Sequence, residues 1–304
     1  MAAVAGLNAL AAAGVGPEDV DLVILATCTP DRLVPAAAAL AQQKIGANRA
    51  AVMDLNAACS GFLYGLVVAD QMVRAGSMRR VLVIGAEKLH FFLDFAHRDT
   101  SVLFGDGAGA VVVEAAAGEG GLLAFELGAD GTAADILCIP RSGTEGEPGA
   151  ERRTRVQMEG PTVFRRAVEA MGDASLRVLE KAGLTLGDVD LLIPHQANLR
   201  IIEATARRLG LEPEKVVVNL AAYGNTSAAS IPIALVEALE AGRVRPGALL
   251  VLAAFGGGLT WAAAAYRWGS RVTALGASGA ALAPSAMTGL DLMQPNVAAY
   301  GKGV

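Results

Sequence analysis

Three residues suited to nucleophilic chemistry each lie between an apolar run of strand length and a helical pattern. Cys59 lies in AVMDLNAACSGFLYGL, His195 in LLIPHQANLRII and Asn225 in VVVNLAAYGNTSAASIP. In a layered α/β fold, the loops that follow the strand C-termini meet at one edge of the sheet. We therefore expect a thiol nucleophile and two N–H donors to converge, and this set of groups needs no metal.

The position of Cys59 at a strand-to-helix turn predicts a reactive thiol. Backbone N–H groups and the positive end of the helix dipole favour the thiolate, which is the nucleophilic form. Each residue also has a simpler interpretation: Cys59 as a buried structural cysteine, His195 as a hydrogen-bonded buried histidine, and Asn225 as a turn or helix cap. Cys28 and Cys138 keep the structural interpretation.

Two glycine-rich segments have different expected roles. The segment at 105–113, GDGAGAVVV, continues as a β-branched strand and offers no helix N-terminus for a phosphate, so it predicts tight backbone packing. The segment at 255–261, FGGGLTW, places three glycines after a buried strand, where backbone N–H groups can approach a substrate. A simple hairpin turn is the alternative for the second segment.

Apolar runs of strand length alternate with helical patterns along the first part of the chain. They contain β-branched residues but no period-2 alternation, which is typical of strands buried on both faces in an α/β fold. The strand candidates are Leu22–Ala26, Ala51–Leu55, Val81–Ile84 and Ala110–Val113.

The sequence also repeats itself. Ala13–Ile24 (AGVGPEDVDLVI) matches Ala182–Ile193 (AGLTLGDVDLLI) at an offset of 182 − 13 = 169 residues. This predicts two copies of one α/β unit. An apolar run at Leu122–Leu127 and a helix at Pro161–Lys181 precede the second copy, whereas twelve residues precede Ala13. We therefore expect the first half to lack its opening strand.

Composition narrows the class of protein. The 304 residues are 53% hydrophobic and 18% charged with a net charge of -5, which excludes a disordered chain and argues against bulk attraction to nucleic acid or anionic membrane. Three widely spaced cysteines argue against a disulfide framework or zinc site and favour a reducing cytoplasm. No basic region precedes the apolar N-terminal stretch, and glycines interrupt the apolar run at 247–266, so we expect neither a signal peptide nor a membrane span.

The motifs AACSGF, FGDGAGA, PHQANLRI, YGNTSAASIP and FGGGLTW, in this order, resemble those of β-ketoacyl-acyl carrier protein synthase III, a thiolase-fold family. The resemblance covers about residues 1–268. It implies an α/β fold with thiolase-like α/β/α/β/α layers built from two similar halves. We expect an N-terminal half at 1–117 with the nucleophile, a C-terminal half at 118–268 with the His, the Asn and the glycine loop, and a tail of unknown order at 269–304.

The resemblance also implies a reaction. Cys59, His195 and Asn225 match the family's catalytic triad, and the N–H groups of Cys59 and Gly257 match its oxyanion hole. Such an enzyme joins an acyl-CoA primer to malonyl-acyl carrier protein by decarboxylative Claisen condensation, with an acyl-cysteine intermediate. It initiates fatty acid biosynthesis and needs no cofactor, since acyl-CoA is a substrate.

Further matches concern binding. Arg98 matches an arginine beside the CoA adenine, and Phe164 and Asn198 match residues that line the pantetheine tunnel. The family docks its carrier protein on a basic patch, matched here by Arg200, Arg207, Arg208 and Arg165. The resemblance also implies a homodimer, in which Val34 matches a residue that reaches the partner's acyl pocket.

Two alternatives remain open at this point. A related condensing enzyme of polyketide or secondary metabolism would use the same triad, because primer choice depends on the shape of the pocket. A non-catalytic, truncated scaffold or partner of a synthase would keep the fold but lack a complete CoA site; the expected missing strand favours it, and the intact triad argues against it.

Overall fold

The computed structural model describes residues 1–116, 118, 120–145 and 154–300. Its strands are β1 (Leu22–Ala26), β2 (Ala51–Leu55), β3 (Arg80–Lys88), β4 (Asp106–Glu114), β5 (Gly121–Ala129), β6 (Leu137–Cys138), β7 (Gln157–Met158), β8 (Leu191–Pro194), β9 (Leu249–Gly256) and β10 (Thr260–Arg267). Its helices are α1 (Ala2–Ala13), α2 (Ala37–Ile45), α3 (Gly61–Arg74), α4 (Arg98–Ser101), α5 (Gly160–Lys181), α6 (Leu199–Arg208), α7 (Leu220–Tyr223), α8 (Ser230–Glu240) and α9 (Gly289–Tyr300).

Two four-stranded sheets form the frame of the molecule, with strand orders β2-β1-β3-β4 and β5-β10-β9-β8. In the first sheet β1 runs parallel to β2 and β3, and β4 is antiparallel to β3. In the second sheet β8 runs parallel to β9, while β10 is antiparallel to β9 and β5. All five residues of β1 are buried, as the absence of alternation predicts. The expectation is wrong for β2, whose residues are exposed or half-buried, because β2 lies at the edge of the sheet.

Helices α3 and α8 lie between the two sheets. One apolar core joins both helices to strands of both sheets, including Ile24, Phe62, Ile193 and Leu252. Helices α1 and α2 cover the outer face of the first sheet, and α5 and α6 cover that of the second. This confirms the thiolase-like α/β/α/β/α layering.

The four predicted strands are confirmed as β1 to β4. Helix α1 ends at Gly14 in the left-handed conformation, φ 67. Strands β3 and β4 are longer than predicted, because they pair antiparallel over their whole length, and the glycines after Gly105 therefore lie within β4 rather than before it. A Cβ on Gly109 would lie 2.9 Å from Pro232 Cβ, so these glycines allow α8 to pack closely.

The duplicated halves differ at one sheet edge. Strand β10 lies between β5 and β9, whereas its counterpart β4 pairs with β3 and has no second neighbouring strand among the residues that the structure describes. The absence of an opening strand from the first half stays a prediction. The division of the chain into two halves at residue 117 also stays a prediction, because residue 117 lies outside the described residues.

The tail is partly ordered along α1. The Leu275 N–H donates to the Ala12 carbonyl oxygen at 3.0 Å, and the Ser278 hydroxyl hydrogen-bonds Asn8. Helix α9 follows, and residues 301–304 lie outside the described part. Across the residues described, no helix is both long and apolar enough to cross a membrane.

Candidate active site

The structure brings the three predicted residues to one cavity. Cys59 lies in a single 3-10 turn, Ala58–Ser60, directly before α3. His195 follows the last residue of β8, and Asn225 precedes a second 3-10 turn, Ser227–Ala229, directly before α8. All three side chains line the same cavity, as the loop positions predict.

The remaining wall of the cavity is largely apolar. Asn198 also lines it, and the Asn198 side chain caps α6 by accepting the Ile201 N–H at 3.0 Å. The apolar lining residues are Leu103, Phe104, Leu137, Met158, Val163, Ala167, Met171, Ala197, Ile201 and Phe255. Such a wall suits an acyl chain or another extended apolar group.

Two predicted binding residues lie outside this wall. Phe164 is half-buried and packs against the apolar core between α5 and the second sheet, while its neighbour Val163 lines the cavity. Arg98 is exposed at the start of α4. The predicted contacts of Phe164 and Arg98 with substrate stay predictions.

Burial dominates the electrostatics of Cys59. The residue is 8% exposed, and burial raises the pKa of the thiol to about 12. Hydrogen bonding with the Ser227 side chain opposes this rise, and the Glu87 carboxylate adds to it. The direction is opposite to the expectation from the helix N-terminus, because burial removes water from around the sulfur and disfavours its charged form. The described site holds a neutral thiol.

His195 is held as a neutral imidazole. It is 1% exposed, and burial lowers its pKa from 6.5 to about 3. Its Nδ1 lies 2.7 Å from the Ser230 hydroxyl, and its backbone N–H donates to Ala253 at 2.7 Å. The backbone of His195 is therefore held by β9 and its ring by α8, and the ring carries no charge at neutral pH.

Asn225 is fixed through both its backbone and its side chain. Its N–H donates to Leu103 at 2.8 Å, and its carbonyl accepts the Gly105 N–H at 2.9 Å. Its Oδ1 accepts the Ser227 N–H at 2.9 Å. Because that bond occupies the amide oxygen, the Asn225 NH2 group is the part suited to donate into the cavity.

The glycine segment after β9 is a hairpin turn that also packs on the Cys59 turn. A Cβ on Gly256 would lie 2.6 Å from the Cys59 nitrogen, and one on Gly257 would lie 2.7 Å from the Leu137 oxygen. The Thr260 hydroxyl donates to the Ala57 carbonyl at 2.8 Å. The glycines are thus required for close approach, while the oxyanion role of Cys59 and Gly257 stays a prediction.

The four predicted docking arginines are all exposed. Arg200, Arg207 and Arg208 lie on α6, and Arg165 lies on α5. The Arg208 side chain contacts Gly172 and pairs with Asp173 at 2.6 Å, so it also joins α6 to α5. Arg207 lies 3.7 Å from Glu203 and is 71% exposed.

Sequence reasoning missed three polar residues around the site: Glu87, Ser227 and Ser230. Glu87 ends the apolar run VLVIGAE, and an acidic residue inside a buried strand is a usable signal. Ser227 and Ser230 lie in NTSAAS beside Asn225 and are indistinguishable there from helix-capping residues. Within the described ranges, no group of three or more His, Cys, Asp or Glu side chains is placed to hold a metal.

Comparisons with known sequences agree with this geometry. Residues 53–131 match the family described as 3-Oxoacyl-[acyl-carrier-protein (ACP)] synthase III, and residues 179–268 match its C-terminal part. A β-ketoacyl-[acyl-carrier-protein] synthase III from Vibrio cholerae is 48% identical over 295 residues, covering 96% of this chain and 82% of the relative. One from Symbiobacterium thermophilum is 52% identical over 269 residues, covering 87% of this chain and 82% of the relative.

Solved structures show the same similarity. The 3-oxoacyl-[acyl-carrier-protein] synthase III of Aquifex aeolicus has a TM-score of 0.83 and 46% identity, covering 88% of this chain and 83% of the other. The priming β-ketosynthase of the R1128 polyketide pathway has a TM-score of 0.83 and 38% identity, covering 89% and 81%.

The curated relatives favour fatty acid synthesis over the polyketide alternative and a condensing enzyme over a non-catalytic scaffold. This chain belongs to the 3-oxoacyl-[acyl-carrier-protein] synthase III family and is an acyltransferase, the initiating condensing enzyme of fatty acid biosynthesis.

Proposed function

We propose that Cys59, His195 and Asn225 carry out a two-step condensation of an acyl-CoA with malonyl-acyl carrier protein. The observation that supports this most directly is that all three side chains line one apolar cavity. A nucleophile and two neutral hydrogen-bond donors at such a site suit acyl transfer followed by stabilisation of an enolate.

In the first step, the Cys59 sulfur attacks the thioester carbonyl of acyl-CoA and the carbonyl carbon–sulfur bond to CoA breaks. CoA leaves as a thiol, with one proton in place of the one that Cys59 gives up. The N–H groups of Cys59 and Gly257 hold the oxyanion of the tetrahedral intermediate. Close packing of Gly256 on the Cys59 turn supports this assignment, because it brings the glycine loop next to the nucleophile. The acyl chain then occupies the apolar wall of the cavity.

In the second step, malonyl-acyl carrier protein loses carbon dioxide and negative charge develops on its thioester oxygen. When the Ser230 hydroxyl donates to His195 Nδ1, the ring proton lies on Nε2, where it can donate to that oxygen. The Asn225 NH2 group supplies the second donor. The carbanion then attacks the acyl-Cys59 carbonyl carbon and the bond from that carbon to the Cys59 sulfur breaks, which gives a 3-oxoacyl-acyl carrier protein. The released Cys59 thiolate takes a proton from solvent.

The proposed carrier surface consists of Arg200, Arg207, Arg208 and Arg165. An acidic carrier suits exposed arginines on an otherwise acidic protein. Arg208 pairs with Asp173 at 2.6 Å, whereas Arg207 lies 3.7 Å from Glu203 and is held less closely. We therefore assign the larger share of carrier binding to Arg200 and Arg207. Arg98, Phe164 and Asn198 are proposed to contact CoA and its pantetheine arm.

We further propose a homodimer that works in the cytoplasm without a cofactor. Four large apolar side chains are exposed near the two loops that follow β1 and β3: Leu33 67%, Val34 85%, Phe91 64% and Val102 69%. A second copy of the chain would cover such residues. Light scattering at micromolar concentration tests this, since a monomeric mass contradicts it.

Separate assays of the two half-reactions test the division of roles. We expect His195→Ala and Asn225→Ala to retain acylation of Cys59 from acyl-CoA and to lose most of the release of carbon dioxide from malonyl-acyl carrier protein. Removing one donor from such a site costs about 10²–10³ in rate. Complete loss of acylation in His195→Ala would instead make His195 an obligatory base for Cys59.

A further inference from the structure

A buried side-chain amide directly after His195 has no role in the steps above. Gln196 is 1% exposed, and its amide makes three hydrogen bonds, all of them to the main chain. The NH2 group donates to the Pro194 carbonyl at 2.8 Å and to the Val217 carbonyl at 3.1 Å. The amide oxygen accepts the Asn219 N–H at 3.0 Å. The amide therefore joins two separate segments of the chain and uses both its donor and its acceptor groups to do so.

The first of these segments is the loop that carries the imidazole. Pro194 and Gln196 flank His195, so the bond between them spans the residue that bears the ring. The His195 N–H donates to the Ala253 carbonyl at 2.7 Å, and the His195 carbonyl accepts the Ala197 N–H at 3.0 Å. Both main-chain polar groups of His195 are thus bonded, and Gln196 adds a side-chain bond that fixes the same three residues.

The second segment leads to Asn225. It lies beside β8, because the Val217 N–H donates to the Leu192 carbonyl at 2.9 Å. Helix α7 begins directly after Asn219, and only Gly224 separates the end of that helix from Asn225. The Gln196 amide bonds the carbonyl of Val217 and the N–H of Asn219, so it fixes the main chain where α7 starts.

Helix α7 is also held on α8. The Asn219 side-chain NH2 group donates to Glu237 Oε2 at 2.9 Å, and the Tyr223 hydroxyl donates to Glu237 Oε1. These bonds hold the start and the end of α7 against one carboxylate of α8. Gln196 then relates that unit to the loop of His195, and the last residue of α7 lies two positions before Asn225.

The two donors proposed for the enolate need a fixed separation. Among the hydrogen bonds of the described residues, none joins His195 directly to Asn225. Two donors that stabilise one oxygen must each lie about 3 Å from it. A displacement of about 1 Å costs about 10²-fold in rate. The relative position of the two donors therefore depends on side chains that connect their loops, and Gln196 bonds to both segments.

We propose that Gln196 is a positioning residue for the decarboxylation of malonyl-acyl carrier protein, a role that rests on the proposed function. In that step the bond between the malonyl α-carbon and the carboxylate carbon breaks, carbon dioxide leaves, and the electron pair passes into the enolate. Gln196 holds the loops of His195 and Asn225 so that both donors meet the enolate oxygen. It does not itself line the cavity, and none of its three bonds involves the Cys59 turn.

The test compares the two half-reactions in single turnover. Acylation of Cys59 by acetyl-CoA or isobutyryl-CoA is followed by peptide mass, and release of carbon dioxide is followed after the acylated enzyme is mixed with malonyl-acyl carrier protein. The variant is Gln196→Met, which keeps the length of the side chain and removes all three hydrogen bonds. Thermal melting checks that each variant folds.

The chain offers a matched control on the same segment. The Arg243 guanidinium donates to the Glu214 carbonyl at 2.7 Å and to the Val216 carbonyl at 3.2 Å. Arg243→Met therefore removes two bonds to main-chain carbonyls next to Val217 but none to the loop of His195.

We expect Gln196→Met to release carbon dioxide about 10²-fold more slowly and to acylate Cys59 at nearly the wild-type rate. KM for malonyl-acyl carrier protein should not change, because the Asn198 side chain still caps α6, which carries three of the proposed docking arginines. Arg243→Met should be close to the wild type in both half-reactions. Asn219→Ala removes the bond to Glu237 and keeps the Gln196 bonds, so it should show a smaller loss, again confined to carbon dioxide release.

Several results would overturn this role. Release of carbon dioxide at the wild-type rate in Gln196→Met would do so directly. Equal slowing of both half-reactions, or the same loss in Arg243→Met, would indicate a general packing role. If Gln196→Met does not fold, unchanged carbon dioxide release in Asn219→Ala would overturn the proposal. Wild-type protein that forms no acyl adduct on Cys59 would instead refute the proposed function, and the role of Gln196 with it.

Discussion

The buried neutral state of His195 makes stability depend on pH in a defined direction. Its pKa is about 3 in the folded protein, against the ordinary value of 6.5 that a solvent-exposed histidine has in the unfolded chain. Between these values the unfolded chain binds more protons, so this contribution is complete above pH 6.5 and is lost as pH falls towards 3. The full contribution is about 5 kcal/mol, of which about 2 kcal/mol is lost at pH 5.

Urea denaturation at pH 8 and pH 5 measures this effect, with His195→Asn as the reference variant. Asparagine does not titrate, while the other two histidines and all carboxylates remain in both proteins. We expect the wild type to lose about 2 kcal/mol more than the variant between these pH values. Equal losses in the two proteins would refute a buried neutral imidazole.

Two further predictions concern the glycine loop and the basic surface. Gly256→Ala places a Cβ 2.6 Å from the Cys59 nitrogen, so we expect the rate of Cys59 acylation to fall by about 10²-fold. Gly160→Ala meets no atom within 4 Å and should leave that rate unchanged. Equal rates for the two variants would contradict the packing argument. Charge reversal at Arg200 and Arg207 should raise KM for malonyl-acyl carrier protein about tenfold, with an effect that salt reduces, and should leave acyl-CoA kinetics nearly unchanged. An equal loss of activity towards both substrates would contradict a docking role.

The positions of Cys59 and His195 could be predicted because each follows a strand, β2 and β8. The apolar run before Asn225 forms only an isolated bridge, Leu192 with Val216, and Asn225 instead follows the short helix α7. The apolar runs before Cys59 and His195 predict where each loop begins. The internal repeat predicts that the corresponding loops of the two halves lie at equivalent positions. The five-layer architecture followed from the family resemblance. The lengths of β3 and β4 could not be predicted, since their antiparallel pairing carries the strands through glycines that local pattern assigns to a loop.

The electrostatic state of the site could not be predicted from local sequence. A strand-to-helix turn favours thiolate, but burial of Cys59 depends on distant segments that close the cavity, such as Leu137 and Met158. Glu87 lies only 28 residues from Cys59 along the chain, yet its carboxylate accepts a hydrogen bond from Ser227, which lies 140 residues further on. Such contacts follow from tertiary packing and leave no fixed spacing in the sequence.

The most direct test of the enzyme's proposed chemistry is the mass of the protein after incubation with an acyl-CoA and then with malonyl-acyl carrier protein. We predict that the first step adds one acyl group to the Cys59 peptide, that Cys59→Ala abolishes the adduct, and that the second step removes it as 3-oxoacyl-acyl carrier protein and carbon dioxide form. Absence of a Cys59 adduct with every acyl-CoA, or an adduct that malonyl-acyl carrier protein does not consume, would contradict this chemistry.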